Sequence, residues 1–291
     1  MLFTASISVI TLVHGRRKHL LNMLRGLSKA SPVLPAELVI VHMNQGIDDN
    51  LPRLPFPVHQ YEIRSTESKI PLAKARNMGA SKAQYNRLVF LDVDCIPEEN
   101  MLARYQHLLN SFYGLLMGDI RYLPEGAPTT SWNFDELTTT GKAHPRRPVI
   151  DAVITHTSKY ELFWSLNFAL DRKTYQKIEG FDERYQGYGG EDTDFAFCAR
   201  KKEVPFALCD ALCYHQHHPV YKPPLQHFHD IIINAECFYQ KWHRWPMDGW
   251  LAAFADRGFI NWTSDSHKIE VLNEPTQQDI DNALYNEPAG F

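Results

Sequence analysis

Short β-branched runs alternate with helical patterns through the first half of this chain, and this alternation constrains the fold more than any other feature. Strands are predicted over residues 7–13, 37–42, 58–63 and 87–91. Leucines at helical spacing follow the first strand, and a helix that opens with Pro71 precedes the fourth. Alternating strands and helices are typical of βαβ units. We therefore predict an α/β fold with a mostly parallel central sheet and helices on both of its faces.

The second half of the chain is less regular. Strands are predicted over residues 164–170 and 206–214, and a core-facing helix over residues 225–242. Residues 124–150 are rich in Pro, Thr and Gly and are predicted to form a long loop. Residues 264–291 are predicted to be a polar tail, since they show no strong pattern. One large domain, residues 1–263, followed by this tail accounts for the whole sequence.

The composition argues against several classes of protein. A net charge of −4 in 291 residues does not suit a nucleic-acid binder, and 44% hydrophobic residues do not suit a disordered chain. The sequence has no apolar run long enough to span a membrane and does not begin like a signal peptide. The 5 cysteines form no CxxC pair, which favours reduced thiols. We expect a soluble cytoplasmic protein whose contacts with a membrane, if any, are peripheral.

Two aspartates directly follow the apolar strand predicted at residues 87–91. Alternate residues of an extended chain project to the same side, so Asp92 and Asp94, on either side of Val93, can approach one divalent cation or its waters. Ligands of parallel sheets bind at the carboxyl ends of the strands, where these aspartates lie. A cation there would neutralise a diphosphate leaving group. A metal site and a solvated turn capped by aspartates are the two interpretations of this motif.

Gly189, Gly190, Glu191 and Asp192 form a second motif. The two glycines permit positive φ angles and a close approach of the backbone to a ligand. The two carboxylates begin a predicted helix, whose dipole favours their ionised forms, as a general base requires. Ordinary capping of the helix by acidic side chains is the alternative.

Histidines cluster after the strand predicted at residues 206–214. His215 and His217 share one face of an extended segment, so one or both could complete a metal shell with the aspartates, and His218 is a weaker candidate. Mixed carboxylate and imidazole ligands suit Mn²⁺ or a similar ion better than structural zinc. A polar surface loop is the alternative.

Basic and aromatic side chains complete the candidate set. Basic residues that could meet phosphate oxygens near the carboxyl edge of the sheet, or remain solvated, are Arg16, Arg17, Lys74 and Arg76. Aromatic residues that could stack on a sugar ring, or fill the core, are Trp164, Tyr185 and Tyr188. For Trp164, which lies inside an apolar run, the core is the preferred interpretation.

Taken in order, these motifs resemble those of nucleotide-sugar glycosyltransferases with the GT-A fold. The likeness is to family 2 enzymes, with a C-terminal half similar to the β-1,4-galactosyltransferases and the polypeptide N-acetylgalactosaminyltransferases. Four segments carry it: SVIT at 8–11, LAKARNMG at 72–79, LDVD at 91–94 and GYGGEDTDF at 187–195. A DxD motif alone is unspecific, but its combination with GYGGED later in the chain is a strong indication.

The resemblance implies an enzyme that moves a sugar from a nucleoside-diphosphate sugar to an acceptor hydroxyl. UDP is the usual nucleotide of such enzymes, and GDP is the alternative. Residues 1–120 would form the nucleotide-sugar-binding half, and residues 121–263 the acceptor-binding half. The acceptor stays open among a lipid-linked saccharide, a polysaccharide end, a peptide and a small metabolite.

On the donor side, the resemblance implies a nucleotide pocket lined by Thr11, His14 and Arg16. Asn44 would lie near the base, although many members of the family carry an aspartate around that point. Arg76 would approach the diphosphate or the sugar.

For the metal, the resemblance implies Mn²⁺ or Mg²⁺ with Asp94 as a direct ligand. Asp92 would contact the ribose or a metal-bound water, and Val93 lies between them in the same nucleotide-sugar site. His215 or His217 would supply the remaining protein ligand, and the choice between them is open.

On the acceptor side, the resemblance implies that Asp192 is the base that deprotonates the acceptor hydroxyl, while Glu191 holds the acceptor or the donor sugar. The other predicted members of the acceptor and sugar site are Trp164, Tyr188, Gly189 and Gly190. A single displacement with a carboxylate base inverts the anomeric configuration, and we expect inversion here. The related N-acetylgalactosaminyltransferases retain it.

Two other functions fit parts of the sequence. A nucleotidyltransferase that makes sugar nucleotides would also use a parallel sheet and paired aspartates. It should carry a Gly-rich basic signature near the N-terminus, of which HGRR at 14–17 is a poor version. A non-catalytic relative would bind a glycan or a nucleotide sugar, but it would need no base such as Asp192.

Overall fold

A ten-stranded sheet forms the centre of the structure, a computed structural model that describes residues 3–4, 6–65, 69–150 and 152–285. The strands are β1 (Phe3–Thr4), β2 (Ile7–Val13), β3 (Val33–Leu34), β4 (Glu37–Met43), β5 (Val58–Ile63), β6 (Arg87–Leu91), β7 (Cys95–Pro97), β8 (Leu115–Tyr122), β9 (Lys142–Ala143), β10 (Ile154–Thr157), β11 (Asn167–Asp171), β12 (Phe206–His215), β13 (Val220–Tyr221), β14 (Ile260–Asn261), β15 (Glu270–Val271) and β16 (Leu284–Tyr285). The helices are α1 (Arg17–Ser28), α2 (Leu72–Lys82), α3 (Met101–Leu108), α4 (Phe134–Thr140), α5 (Arg172–Ile178), α6 (Glu191–Lys201), α7 (Phe228–Trp242), α8 (Asp248–Asp256) and α9 (Gln277–Ala283).

The central sheet is mostly parallel, as the sequence predicts. Its strand order is β10-β12-β8-β11-β6-β2-β4-β5, with β7 paired to β12 and β9 to β8. Strands β5, β4, β2 and β6 are mutually parallel, and so are β8 and β12. Strand β11 runs antiparallel between β6 and β8. Six strands therefore point the same way, and their carboxyl ends lie along one edge of the sheet: β5, β4, β2, β6, β8 and β12.

Helices cover both faces of the sheet, which confirms the predicted α/β fold. Leu24 of α1 and Tyr105 of α3 are buried in the core of one face. Ala75 of α2 and Phe195 of α6 are buried in the core of the other face. Strands between two cores need apolar side chains in both directions, which explains the unbroken apolar runs in the sequence. Within the described ranges, no helix is long and apolar enough to cross a bilayer.

Residues 124–150 are more ordered than the predicted long loop. Helix α4 lies in the middle of this segment, and the side chain of Asn133 caps it by accepting a hydrogen bond from the N–H of Glu136 at 2.9 Å. Trp132 is fully buried beside Leu137 and Tyr214. The rest of the segment lacks helix and strand except for β9, as predicted. The prediction missed α4 and the buried Trp132, because the high Pro, Thr and Gly content obscured them.

The polar segment after residue 263 also contains regular structure. It forms β15, α9 and β16, and Thr276 and Asp279 make a capping box at the start of α9. Ile269 and Ala283 are buried in a third core cluster with residues of α7 and α8. The sequence predicts a polar tail here because few side chains of this segment enter the core, so its apolar residues form no strong pattern.

Replacement of Trp132 by alanine should destabilise the protein by about 3–5 kcal/mol, since it removes a large, fully buried side chain. Urea unfolding of the full chain measures this loss. The matched control is Ser131→Ala at the exposed neighbouring position, which should change little. A loss for Trp132→Ala no larger than that of the control would show that residues 124–150 are not anchored at this point.

Candidate active site

Asp94 is a buried charged group at the carboxyl edge of the sheet. Its side chain is only 1% exposed, and it forms an ion pair with Arg16. The Nε2 atom of His218 lies 3.7 Å from its Oδ2, and the Nε2 atom of His19 lies 4.0 Å from its Oδ1. This Oδ1 is buried and has no hydrogen-bond partner among the described residues. A buried carboxylate oxygen without a partner is costly, so the site is suited to a cation that would coordinate it.

Asp94, His215 and His218 could together hold such a cation. One ligand atom from each of the three lies within 4.8 Å of the others. Burial lowers the pKa of His215 well below its ordinary value, and neighbouring His218 lowers it further. Burial also lowers the pKa of His218, to about 4. Both imidazoles are therefore neutral at pH 7 and keep a nitrogen lone pair for a metal. One carboxylate with two imidazoles fits a divalent ion such as Mn²⁺.

The structure brings His218, and not His217, into this group. A chain that stayed extended beyond His215 would place His217 on the same face, as the sequence predicts. Strand β12 ends at His215, and the N–H of Gln216 then donates to the carbonyl of Asp94 at 2.7 Å. Past this point the two-residue alternation no longer holds. The carbonyl of His217 lies 3.1 Å from Nε2 of His19.

Helix α1 is fastened to this histidine segment by contacts that the sequence analysis missed. The side chain of Asn22 donates to Oε1 of Gln216 at 2.7 Å, and Gln216 donates in turn to the carbonyl of His19 at 3.1 Å. His19 faces Asp94 from the first turn of the helix. The position of His19 just after β2 was the available signal. Arg16 precedes this helix in a left-handed conformation with φ of 53°.

The predicted nucleotide residues lie at the ends of β2 and β4. Thr11 is buried, and its hydroxyl has no hydrogen-bond partner among the described residues. Nδ1 of His14 lies 2.8 Å from the carbonyl of Met43. The side chain of Asn44 donates to the carbonyl of Lys69 at 2.9 Å and accepts from the N–H of Ser65 at 2.8 Å. Asn44 therefore holds the backbone after β5 with both ends of its amide.

An open cleft of about 410 Å³ lies beside these strand ends, between Arg16 and Asp48. Arg17 lines the same cleft, but its guanidinium is bonded to Asp48 at 2.7 Å. Lys74 is exposed on α2. Of the four basic candidates, Arg16 and Arg76 are therefore the two that contact carboxylates of the predicted motifs.

Asp92 and Val93 connect the sheet to this site. The backbone N–H of Asp92 donates to the carbonyl of Leu166 at 2.8 Å, and Val93 is buried in the core. This bond links the end of β6 to the start of β11. The DxD motif is therefore fixed by the sheet and is not a solvated turn, with Asp92 partly exposed and Asp94 buried.

The glycines of the GYGGED motif adopt the positive φ angles that the sequence predicts. Gly189 has φ of 96° and Gly190 has φ of 87°. A Cβ atom at Gly189 would lie 2.7 Å from Sδ of Met247, so a larger residue would not fit without rearrangement. These two residues place Glu191 and Asp192 at the start of α6.

A buried ion pair joins Arg76 of α2 to Glu191 of α6. The guanidinium donates to Oε1 of Glu191 at 3.0 Å and to the hydroxyl of Ser165 at 2.8 Å. Both charged side chains are 9% exposed. Arg76 therefore positions Glu191 directly, and Ser165 is a member of the site that the sequence analysis missed. The serine lies inside the apolar run predicted as a strand at residues 164–170, where a hydroxyl gives no signal of its own.

The surroundings of Asp192 raise the basicity of its carboxylate. Burial raises the pKa of its carboxyl to about 6, and the neighbouring charge of Glu191 acts in the same direction. Its Oδ1 accepts from the N–H of Thr193 at 2.7 Å. A carboxylate with this pKa is largely ionised at pH 7 and is a stronger base than an ordinary aspartate.

Asp194 has a structural role. It is fully buried and accepts from Nζ of Lys241 at 2.8 Å, from Nε1 of Trp242 at 2.7 Å and from the hydroxyl of Tyr185 at 3.1 Å. These contacts fasten α6 to the end of α7. Lys241 and Trp242 were not singled out because nothing in their local sequence shows that they meet Asp194.

The aromatic candidates differ in exposure. Tyr188 is 39% exposed, and its ring stacks on His227 at 4.4 Å and on Trp250 at 5.8 Å between centroids. Trp164 packs against the core with part of its surface, as preferred from the sequence, and Arg147 lies 5.1 Å from its ring centroid. Tyr185 is buried.

Comparison with known proteins gives a match to one protein family. The family model described as "Glycosyltransferase like family 2" matches residues 57–241, which include the DxD and GYGGED motifs. Chondroitin synthase of Pasteurella multocida is 25% identical over 221 residues, and that of Escherichia coli is 23% identical over 246 residues. These matches cover 64% and 73% of this chain but only 22% and 35% of the relatives. The chain thus spans about a fifth to a third of these relatives.

Solved structures with the same fold include two glycosyltransferases. S. aureus TarS 1–349 has a TM-score of 0.54 and 14% identity, and the match covers 87% of this chain and 71% of that one. GalNAc-T7, solved with UDP, GalNAc and Mn²⁺, has a TM-score of 0.51 and 16% identity, and the match covers 73% and 43%. TarS 1–349 has also been solved in complex with UDP. At this identity, the likeness shows the GT-A fold.

Two aspartates of α6 should respond differently to replacement by asparagine. Asp194→Asn should lower the free energy of unfolding by about 2 kcal/mol, because it removes a charge-assisted hydrogen bond from Lys241, which keeps only Asp182 as a carboxylate partner among the described residues. Asp192→Asn should leave stability at pH 7 unchanged or raise it, since a raised pKa means that ionisation at this site opposes folding. Urea unfolding at pH 7 compares the two variants. An equal loss in both would contradict these separate roles.

Proposed function

Since the chain belongs to the glycosyltransferase-like family 2, we propose that it transfers a sugar from a UDP-sugar to an acceptor hydroxyl with a bound divalent cation, Mn²⁺ or Mg²⁺. The observation that carries this proposal is the convergence of Asp94, His215 and His218 at the carboxyl edge of the sheet. The UDP and Mn²⁺ in the GalNAc-T7 structure, and the UDP in the TarS complex, support the choice of donor and ion.

Asp94, His215 and His218 would hold the cation. When bound, the cation stabilises the negative charge of the departing diphosphate. Arg16 now neutralises Asp94, and it lies beside the open cleft at the end of β2. A cation on Asp94 would free this guanidinium, which is suited to a phosphate group of the donor. The nucleotide would lie in the cleft, next to His14.

Asp192 would accept the proton of the acceptor hydroxyl. As the hydroxyl oxygen forms its bond to the anomeric carbon, the bond from that carbon to the diphosphate breaks. A single displacement of this kind inverts the anomeric configuration. Glu191 cannot share the role of base easily, because its Oε1 is held by Arg76. It would instead hydrogen-bond a sugar hydroxyl with the remaining oxygen.

A saccharide is the acceptor that the surroundings of Asp192 favour. Tyr188 precedes the two glycines, is partly exposed, and lies close enough to Asp192 for the charge of that carboxylate to act on it. Chondroitin synthases, the curated relatives described above, are named for a polysaccharide product. The family membership favours glycosyl transfer over the two alternatives, a nucleotidyltransferase and a non-catalytic binding protein.

Alanine at each histidine tests the metal site. His215→Ala and His218→Ala should each weaken Mn²⁺ binding by at least roughly ten- to a hundredfold, since loss of even an outer-shell partner of a metal ligand has that effect. His217→Ala is the matched control and should bind Mn²⁺ as the wild type does, because His217 lies outside the ligand group. Calorimetric titration with Mn²⁺ measures all three. A larger loss for His217→Ala than for His218→Ala would reverse the assignment.

The role of Asp192 is tested by substitution and by pH. Asp192→Asn should retain binding of UDP with Mn²⁺ but lower the transfer rate by at least roughly a hundredfold, since it removes the base. For the wild type, kcat/KM should fall as the pH drops below about 6, where Asp192 becomes protonated. Near-normal transfer by the variant, or a rate independent of pH between 5 and 7, would exclude Asp192 as the base.

A further inference from the structure

Arg147 lies at the rim of the candidate site, in the segment between β9 and β10. Its guanidinium carbon is 5.1 Å from the ring centroid of Trp164, and the guanidinium hydrogen-bonds the side chain of Tyr122. Tyr122 ends β8 and packs its ring 4.9 Å from that of His215. Arg147 is therefore held one side chain away from the group of Asp94, His215 and His218.

The charge of Arg147 has no counter-ion in the described part of the chain. Its Nη1 is buried and has no hydrogen-bond partner there, and no described carboxylate lies within ion-pair distance. The two other arginines of the site differ in this respect, because Arg16 pairs with Asp94 and Arg76 pairs with Glu191. A buried guanidinium N–H without an acceptor is costly unless a ligand supplies one.

The groups around Arg147 favour an anion over a neutral ligand. The rings of His144 and His215 both pack against Tyr122, at 5.4 and 4.9 Å between centroids. Arg147 is the charged side chain that contacts both Tyr122 and Trp164. Trp164 and Tyr122 hold the guanidinium in place, which leaves its planar donors directed rather than mobile.

We propose that Arg147 is an anion-binding residue of this site and that it binds an oxyanion of a substrate through Nη1. The inference rests on the proposed function for the identity of that substrate. Two sources supply the same chemistry: the diphosphate of the donor and a carboxylate on the acceptor saccharide. Arginine binds both through charge-assisted hydrogen bonds.

The experiment compares the full chain with Arg147→Gln and Arg147→Lys by calorimetric titration in the presence of Mn²⁺. The probes are inorganic pyrophosphate, UDP, uridine, and oligosaccharides that end in a hexuronate or in a neutral sugar. The matched control is Arg146→Gln, since Arg146 is the exposed neighbour with the same charge. Thermal unfolding of each variant shows that it is folded.

Arg147→Gln should lower the affinity for the anionic probe by roughly ten- to a hundredfold, and Arg147→Lys should recover part of that affinity. Losses for pyrophosphate and UDP, with uridine unchanged, identify the donor diphosphate. A loss confined to the hexuronate oligosaccharide identifies an acceptor carboxylate.

Three results would overturn the inference. These are unchanged binding of every probe by Arg147→Gln, an equal loss in Arg146→Gln, and failure of the wild type to bind any anionic probe. A different result would contradict the proposal that the donor is a UDP-sugar. In that case the wild type binds pyrophosphate but not UDP, and the role of Arg147 is decided by the pyrophosphate titration alone.

Discussion

The buried carboxylate of Asp94 is the constraint on which the rest of this site depends. A negative charge that is 1% exposed is stable only with positive or polar partners, and these come from separate parts of the chain. Arg16 and His19 approach from the first turn after β2, and His218 approaches after β12. One carboxylate thereby contacts the segment that follows β2 and the segment that follows β12. The same charge makes the site suitable for a cation.

Two further polar links hold the opposite wall of the site. Arg76 joins α2 to the start of α6 through Glu191, and Asp194 joins α6 to α7 through Lys241. Asp192 lies between these two fastened acidic residues. Its helix is held on both sides, while its own carboxyl is bonded only to neighbouring Thr193 among the described residues. The arrangement fixes the position of the proposed base, and no described cation pairs with its carboxylate to lower its basicity.

The fold and the principal carboxylates could be predicted from sequence because they depend on local patterns. The strand at 87–91 is apolar because it lies buried between two layers of helices. Asp94 follows the end of this strand, which is parallel to β2, and therefore lies at the carboxyl edge of the sheet. The glycines at 189 and 190 likewise predict the positive φ angles that the backbone has there. What failed depended on contacts across the chain. The turn after His215 is set by a bond from Gln216 to Asp94, and Arg147 reaches the site through a segment that composition described as loop.

The central claim is that imidazoles and a carboxylate of this chain bind the cation that carries the donor. Electron spin echo envelope modulation of the full chain with Mn²⁺ and UDP tests it most directly. The account predicts modulation from imidazole nitrogen and from phosphorus on the same Mn²⁺, with the nitrogen signal lost in a His215→Ala/His218→Ala double variant. Phosphorus modulation without nitrogen in the wild type would contradict it, because the ion would then be held by the nucleotide and water rather than by these histidines.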